Sequence, residues 1–280
     1  MSDLFTNQDI SRNPWMQGTL GRTGRSVGRL GLASGYGADQ RCVEMAFERG
    51  ANYFYWGTFR RDSFGEGLRS LHNQRDRFVL VIQSYTRLAG LLAGSLERAL
   101  RALRMDFADV LLLGMWNKDV SPRIWEQAIR LRDRGLVKHL AVSTHKRTHA
   151  VELARSHDVD VIHVRYNAVH PGAEREIFPH LPERPARPGI VSFTATSWGE
   201  LLTPKKVPVG DKVPTAADAY RFVLSNPNID VCLTGPRSAE QFKAALDAME
   251  QGPMSPEELA WMRRVGEAKY EKAGMFSMRG

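Results

Sequence analysis

The segment Phe78-Val-Leu-Val-Ile-Gln-Ser84 is a continuous apolar run, rich in β-branched residues, in which polar and apolar side chains do not alternate. Such a run is typical of a strand that is buried on both faces, as the strands of parallel sheets are. Seven further candidate strands, most of them equally continuous, cover Arg29–Ser34, Tyr53–Trp56, Asp109–Leu113, His139–Ser143, Val161–Val164, Gly189–Phe193 and Val231–Thr234. The sequence therefore predicts eight strands, most of them fully buried.

Amphipathic segments lie between these strands. The leucines of Leu91–Leu103 recur at spacings of four, four and three residues, which places them on one face of a helix. Ser121 before Pro122 is typical of an N-cap followed by proline in the first turn, and Ser238 with Gln241 has the spacing of a capping box. We predict helices over Ala38–Arg49, Leu91–Leu103, Ser121–Arg134, Thr148–Ser156, Ala216–Leu224, Ser238–Met249 and Pro256–Lys272.

This alternation predicts an α/β fold, either a (β/α)8 TIM barrel or a doubly wound sheet. The length of 280 residues and the absence of an early Gly-x-Gly-x-x-Gly motif after a strand favour the barrel. We expect residues 1–280 to form one domain, with residues 1–18 as an N-terminal extension and residues 250–280 as a C-terminal helix and tail. The long segment Ser197–Thr215 is a candidate for a loop that covers a ligand.

The composition excludes several classes of protein. The longest apolar run, Val110–Trp116, is far shorter than the roughly 20 residues of a membrane span, and the first ten residues do not form a secretory signal. Cys42 and Cys232 are too few for a disulfide framework, so we expect a reduced, cytoplasmic setting. Neither the cysteines nor the histidines have metal-ligand spacing, and we predict no metal site.

The net charge of +8 leaves nucleic acid, an anionic membrane or a phosphate-bearing ligand as explanations. No helix-turn-helix pattern or aromatic-basic interleaving supports nucleic acid, so we expect a small-molecule partner, with an anionic one among the alternatives, and neither nucleic acid nor membrane. Five arginines are predicted on solvated faces, namely Arg22, Arg25, Arg29, Arg75 and Arg77.

Six short motifs follow one another along residues 19–250. They are Leu20–Leu32, with its spaced glycines, Gly50–Phe54, Gly135–Ser143, Tyr166-Asn167, Gly199–Thr203 and Thr234–Gln241. In this order they resemble the motifs of the aldo-keto reductase family. The resemblance implies a (β/α)8 TIM barrel of aldo-keto reductase type that binds NADP(H) extended across its C-terminal mouth and reduces carbonyl groups.

The resemblance also implies four catalytic positions, and at each of them this chain has a different residue. Tyr55 stands at the family's aspartate, Arg60 at its tyrosine, Gln83 (or Ser84, with one residue of slack) at its lysine, and Gly114 at its histidine. A tyrosine hydroxyl with a pKa near 10 needs such neighbours to donate its proton near neutrality. The standard mechanism therefore does not carry over, and Tyr55 and Arg60 become the candidate catalytic residues.

The cofactor positions that the resemblance implies are better preserved at the phosphate end than at the nicotinamide end. Arg237, Ser238 and Gln241 correspond to residues that meet the 2′-phosphate, at a helix N-terminus that suits an anion. At the other end Ser143 would help hold the carboxamide, His163 replaces a glutamine, and Phe193 would stack under the nicotinamide.

Three functions remain open at this point. The first is an NADP(H)-binding oxidoreductase in which Tyr55, His145 or water donates the proton. The second is a non-catalytic NADP(H)-binding regulatory protein, and the third is a non-redox enzyme that binds an anionic substrate through Arg60. Each candidate residue also has a purely structural interpretation: Tyr55 as barrel-end filling, Arg60 as a surface arginine, His163 as a core histidine, and Ser238 and Gln241 as plain helix caps.

Overall fold

A computed structural model describes residues 13–57 and 60–273 of the chain. Eight parallel strands close into a barrel in sequence order, with the last strand paired to the first. The strands are β3 (Leu30–Ala33), β4 (Tyr53–Trp56), β5 (Val79–Ser84), β6 (Ala108–Leu113), β7 (Val137–Thr144), β8 (Val161–Arg165), β9 (Gly189–Phe193) and β10 (Val231–Thr234). The predicted (β/α)8 barrel is confirmed, and every predicted strand is present with its ends shifted by at most two residues.

Helices surround the barrel. They are α1 (Gln40–Glu48), α2 (Asp62–Ser70), α3 (Ala89–Leu103), α4 (Pro122–Asp133), α5 (Arg147–Arg155), α6 (Ala173–Glu176), α7 (Ala216–Leu224), α8 (Ala239–Met249) and α9 (Pro256–Ala273). The sequence does not predict α2, because Gly65 and Gly67 lower its helix propensity. The fold requires both glycines, since a Cβ at Gly65 would lie 2.5 Å from the Trp56 ring and one at Gly67 2.6 Å from Val43.

The helix caps differ in part from the prediction. Ser121 precedes α4, but its side chain makes no capping hydrogen bond. Ser238 does cap α8 by accepting the Gln241 N–H, whereas the Gln241 side chain reaches one residue further back and accepts the N–H of Arg237 at 2.9 Å. The predicted capping box is therefore only half formed at α8.

Alternate residues of the strands fill the barrel interior, because successive side chains of a strand point to opposite faces. The buried interior side chains are Tyr53, Val79, Val81, Val110, Leu112, Ala141, Val161, Val191 and Val231. Leu20 and Val27 close this core at the N-terminal end, next to the hairpin of β1 (Gln17–Thr19) and β2 (Ser26–Gly28). Residues 17 and 18 of the predicted N-terminal extension thus belong to this hairpin; residues 1–12 of the extension and 274–280 of the predicted tail lie outside the described residues.

The structure corrects the prediction that five arginines lie on solvated faces. Arg29 donates to the carbonyls of Leu224 and Ile229, both at 2.9 Å, and Arg75 pairs with the fully buried carboxylate of Asp109 at 2.6 Å. Only a structure reveals such partners, because they lie far from the arginine in sequence. Part of the positive charge therefore stabilises the barrel from within.

Candidate active site

A cavity of about 970 Å³ opens at the C-terminal end of the barrel strands, which is where enzymes of this architecture place their sites. All eight strands contribute to the lining, and their lining residues are Ala33, Tyr55, Gln83, Leu112, Ser143, His163, Phe193, Leu233 and Thr234. The volume is at the upper end of the roughly 300–1,000 Å³ that is usual for small-molecule sites. The cleft can therefore hold a ligand of dinucleotide size.

From the barrel axis the cleft continues over the segment between β10 and α8. Its lining there includes Gly235, Arg237 and Gln241, followed by two alanines of α8. The Tyr36 ring packs on Gly235, and a Cβ at this position would overlap the ring. The glycine therefore allows the Tyr36 ring to form one wall of the cleft. The lining thus joins the strand ends to the N-terminus of α8.

The opposite wall comes from the segment that sequence analysis predicted to be a ligand-covering loop. Trp198, Leu202 and Thr215 line the cleft, and the Trp198 side chain is 63% exposed. Asn167 supports the start of this wall, because its buried amide donates to the Thr194 carbonyl at 2.7 Å. The asparagine of the Tyr166-Asn167 motif therefore positions a wall of the cleft.

Seven of the ten site residues predicted from the sequence line this cleft. They are Tyr55, Gln83, Ser143, His163, Phe193, Arg237 and Gln241, whereas Arg60, Gly114 and Ser238 do not line it. Of the two alternatives for the family's lysine position, Gln83 faces the cleft and Ser84 does not.

Arg60 lies behind the cleft wall. Its Nη2 atom donates to the backbone carbonyl of Gln83 at 2.7 Å. Burial lowers the pKa of Arg60, attraction to Tyr55 opposes that shift, and repulsion from Arg98 adds to it. The Arg60 charge is therefore close to Tyr55, but its guanidinium binds protein backbone within the wall.

Gly114 is the residue that the sequence resemblance predicts at the position of a catalytic histidine. A Cβ placed there would overlap the Gln83 amide and lie 2.7 Å from the Tyr85 ring. The Oε1 atom of Gln83 is buried, with no hydrogen-bond partner among residues 13–57 and 60–273. Gln83 and Tyr85 thus fill the space next to Gly114, and the glutamine keeps an acceptor available to a ligand.

His163 forms a pair with Tyr53 inside the barrel, with 2.9 Å between Nε2 and the tyrosine hydroxyl. Burial lowers the pKa of His163 to about 3 and raises that of Tyr53. Both side chains are therefore uncharged near neutrality. His163 shapes the floor of the cleft as a neutral group next to Tyr55, whose ring centre is 6.3 Å away.

At the phosphate end the three predicted residues, Arg237, Ser238 and Gln241, make different contacts. Ser238 and Gln241 bind backbone N–H groups at the start of α8. In the part of the chain that the structure describes, the Arg237 guanidinium makes no hydrogen bond or ion pair. Arg237 is thus the side chain of the three whose charge is available to a ligand at this end of the cleft.

The aromatic walls of the cleft were not predicted from the sequence. Tyr36, Tyr85, Trp198 and Phe242 all line it. Tyr85 comes directly after a candidate strand and Tyr36 comes two residues after one, and strand ends meet at the mouth of a barrel. Their position after a strand could therefore have identified both tyrosines as cleft residues. Trp198 belongs to a long loop, and no local sequence pattern indicates that it reaches the cleft.

One group of potential metal ligands comes together away from the cleft. Oxygen atoms of Asp119 and Glu152 and a ring nitrogen of His149 lie within 4.8 Å of one another. His149 Nδ1 is 3.0 Å from Glu152 and 3.8 Å from Asp119, and both carboxylates are exposed. Such exposed clusters are common without a metal, and the geometry is that of a histidine held by two surface carboxylates.

Comparison with known proteins agrees with the architecture. The chain is similar in structure to an aldo-keto reductase from Bacillus halodurans, at 19% identity and a TM-score of 0.70 for the holo form, over 90% of this chain and 96% of that one. It is also similar to an aldo/keto reductase from Klebsiella pneumoniae in complex with NADP and acetate, at 22% identity and a TM-score of 0.68, over 89% and 95% of the two chains. No curated protein sequence matches it.

Among the helices of residues 13–57 and 60–273, none combines the length and apolar character of a membrane-spanning segment. The model of the aldo/keto reductase family matches residues 38–199, which is more than half of the chain. The match includes β4 to β9 and the cleft residues on those strands, whereas β3, β10 and the start of α8 lie outside it. On this evidence the chain belongs to the aldo/keto reductase family.

Proposed function

We propose that the protein is an NADP(H)-binding oxidoreductase in which Tyr55 has become the proton donor for carbonyl reduction. The observation that carries this proposal is the single cleft that joins Tyr55 and Phe193 at the barrel axis to Arg237 at the start of α8. A dinucleotide needs such a cleft, with an apolar surface at one end and a cation at a helix N-terminus at the other.

The residues present fit this cofactor. Arg237 and the N-terminus of α8 would hold the 2′-phosphate, and Phe193 offers a ring face to the nicotinamide. Gln83 has a buried acceptor without a partner in the described chain, so a ligand that donates a hydrogen bond would satisfy it. Ser143 accepts the Met115 N–H at 2.8 Å and keeps its hydroxyl proton for donation.

Bound NADPH supplies a hydride from C4 of its nicotinamide. In our proposal the Tyr55 hydroxyl gives its proton to the oxygen of the carbonyl that receives the hydride, so that an alcohol forms, and the phenolate regains a proton from water. The Arg60 guanidinium lies close enough to attract the Tyr55 oxygen, which favours the phenolate left behind. Arg60 acts here through Tyr55, as a positioning residue.

Cofactor binding is tested by titrating the protein with NADPH and NADH and following nicotinamide fluorescence. We expect tighter binding of NADPH, and a loss of about ten-fold in that preference in Arg237→Gln, because one charge-assisted contact to the 2′-phosphate is removed. Lys243→Gln is the matched control, since it removes one charge from α8 at an exposed pair with Asp247. No binding at high micromolar NADPH would remove the basis of the proposal.

Proton donation is tested by single-turnover oxidation of NADPH with a panel of small aldehydes. We expect Tyr55→Phe to lower the rate by about 100-fold or more, in line with the usual contribution of a general acid, without loss of NADPH affinity. An equal rate in Tyr55→Phe, or a selective loss in Tyr85→Phe, contradicts the role of Tyr55.

The substituted catalytic positions favour a second candidate, a non-catalytic protein that binds NADP(H). That function predicts normal NADPH affinity with no oxidation by any aldehyde of the panel. We make no proposal for a non-redox enzyme that acts through Arg60, because this guanidinium binds the Gln83 carbonyl outside the lining of the cleft. The two free, buried cysteines are consistent with our proposal that the protein works in the reducing cytoplasm.

A further inference from the structure

Arg165 is the last residue of β8, and it continues the set of alternate residues that face the barrel axis. Val161 packs in the interior core and His163 lines the cleft, so Arg165 follows them at the mouth, just beyond the residues that line the cleft. Its Cα pairs in register with that of Phe193 on the neighbouring strand. Arg165 therefore stands directly beside the aromatic residue that we assign to the nicotinamide.

Two histidines flank this arginine. The ring of His145 packs edge-on against Phe193, with 5.3 Å between the ring centres. His170 donates to Asn167 Oδ1 from its backbone N–H at 2.8 Å and from its ring Nδ1 at 3.2 Å, next to the start of the cleft wall. Burial and then repulsion from Arg165 lower the pKa of His145, and the same two causes, with further repulsion, lower that of His170 to about 4. Both imidazoles are therefore neutral near pH 7.

Carboxylates do not compensate the Arg165 charge. Within residues 13–57 and 60–273 its guanidinium makes no ion pair or hydrogen bond. Burial followed by repulsion from Arg147 lowers the pKa of Arg165, and attraction to Tyr270, whose ring centre is 6.0 Å from that of His170, opposes the shift. Arg147 has its own partner, Glu176, at 2.8 Å. The group thus has one uncompensated positive charge, half-buried beside the cleft.

A half-buried cation without a counter-charge is unfavourable, and an anion placed against it would offset that cost. The single net charge suits a monoanion, and the planar guanidinium matches the two oxygens of a carboxylate. A phosphate dianion would leave one negative charge uncompensated.

We infer that Arg165, bordered by the neutral side chains of His145 and His170, binds the carboxylate of a small ligand whose other end lies beside Phe193. The proposal that a carboxylate binds here depends only on this cluster of side chains. The further statement that the ligand is a carbonyl compound with a carboxylate at its far end rests on the proposed function.

Calorimetric titration with butanoate, butanamide and inorganic phosphate tests the subsite without any cofactor. We expect butanoate to bind more tightly than either of the others, and to bind about 10- to 100-fold more weakly to Arg165→Gln, the usual cost of losing one charged hydrogen-bonding partner. Arg165→Lys retains the charge and should recover part of the affinity. Arg155→Gln, which removes an exposed arginine at the end of α5, should bind butanoate as the wild type does.

Equal butanoate affinity in Arg165→Gln and Arg155→Gln contradicts the subsite, as does equal affinity for butanamide. Tighter binding of phosphate than of butanoate overturns the choice of a carboxylate. Thermal melting of each variant shows whether it is folded, and Arg165→Lys provides the test if Arg165→Gln is not.

The link to the reaction is tested separately, by comparing NADPH oxidation with 4-oxobutanoate and with butanal. We expect kcat/KM to favour 4-oxobutanoate in the wild type and the preference to fall about ten-fold in Arg165→Gln, mainly through KM. If neither aldehyde is reduced while butanoate still binds through Arg165, the proposed function fails and the subsite stands. If both are reduced with equal efficiency, the subsite has no role in substrate choice.

Discussion

The two ends of the barrel use charge in opposite ways. At the N-terminal end three aspartates each accept the backbone N–H of a neighbouring strand: Asp109 from Leu80, Asp160 from Leu140 and Asp230 from Ile190. Asp230 also binds the buried Arg187 through both carboxylate oxygens. At the C-terminal end, in the described part of the chain, neither Arg165 nor Arg237 has a carboxylate partner. Paired charges hold the barrel together at one end, and unpaired charges border the cleft at the other.

This difference explains why the net charge is a poor guide to the partner of the protein. Much of the arginine content belongs to the fold, since residues such as Arg29 and Arg75 bind carbonyls and carboxylates of distant segments. Removing a charge should therefore alter stability at the N-terminal end and ligand binding at the C-terminal end.

The largest expected effect is on stability, for Asp230→Asn. The substitution leaves Arg187 buried without its counter-charge, and breaking a buried ion pair by removal of one partner costs about 3–5 kcal/mol. The free energy of unfolding in urea measures this loss. Asp247→Asn serves as the control, because its pairs with Arg49 and Lys243 are exposed and such pairs contribute about 1 kcal/mol or less. A similar loss of unfolding free energy in both variants would contradict the claim that the buried ion pair contributes more than the exposed pairs.

The second effect concerns the stability of the protein in acid, and it arises from His163 at the cleft end of the barrel. The folded-state pKa of His163 is about 3, below the value near 6.5 of an unfolded histidine, so the unfolded chain takes up the proton first. The neutral His163 therefore contributes its full stability above pH 6.5 and loses it as the pH falls from 6.5 towards 3, at up to about 1.4 kcal/mol per pH unit.

His163→Gln tests this contribution, since an amide can still bond to the Tyr53 hydroxyl but does not titrate. We expect the difference in unfolding free energy between wild type and variant to change with pH between 6.5 and 3 in favour of the variant, and to be constant above 6.5. The other histidines cancel in that difference. A difference that is independent of pH would mean that His163 is not held neutral by burial.

The fold was predictable because its signals are local. Continuous apolar runs specify buried strands, and the ordered motifs from Leu20–Leu32 to Thr234–Gln241 specify the family. Helix α2 escaped prediction because Gly65 and Gly67 are chosen by contacts with Trp56 and Val43 that lie elsewhere in the sequence.

The candidate site was predictable where a family motif lies near the end of a strand or, as for Arg237 and Gln241, at the start of α8. Tyr55, Gln83, His163 and Phe193 were predicted from the family resemblance, and all four reach the cleft. Arg60 was a candidate for binding a ligand, whereas its guanidinium donates a hydrogen bond to the Gln83 carbonyl. The lack of a counter-charge at Arg165 is a property of several loops together, so no local pattern indicates it.

The smallest expected effect concerns Gly114, the predicted counterpart of a catalytic histidine. In Gly114→Ala the new methyl group would overlap the Gln83 amide and crowd Tyr85, and overpacking of this kind costs about 1–3 kcal/mol. The same change in a Gln83→Ala background should cost at least 1 kcal/mol less, because the overlapping amide is gone. Gly90→Ala is the control, since a Cβ there meets nothing within 4 Å and alanine is the better helix former in α3. If Gly114→Ala is tolerated equally in both backgrounds, Gln83 and Gly114 are not coupled, and the missing histidine has no connection with the glutamine that lines the cleft.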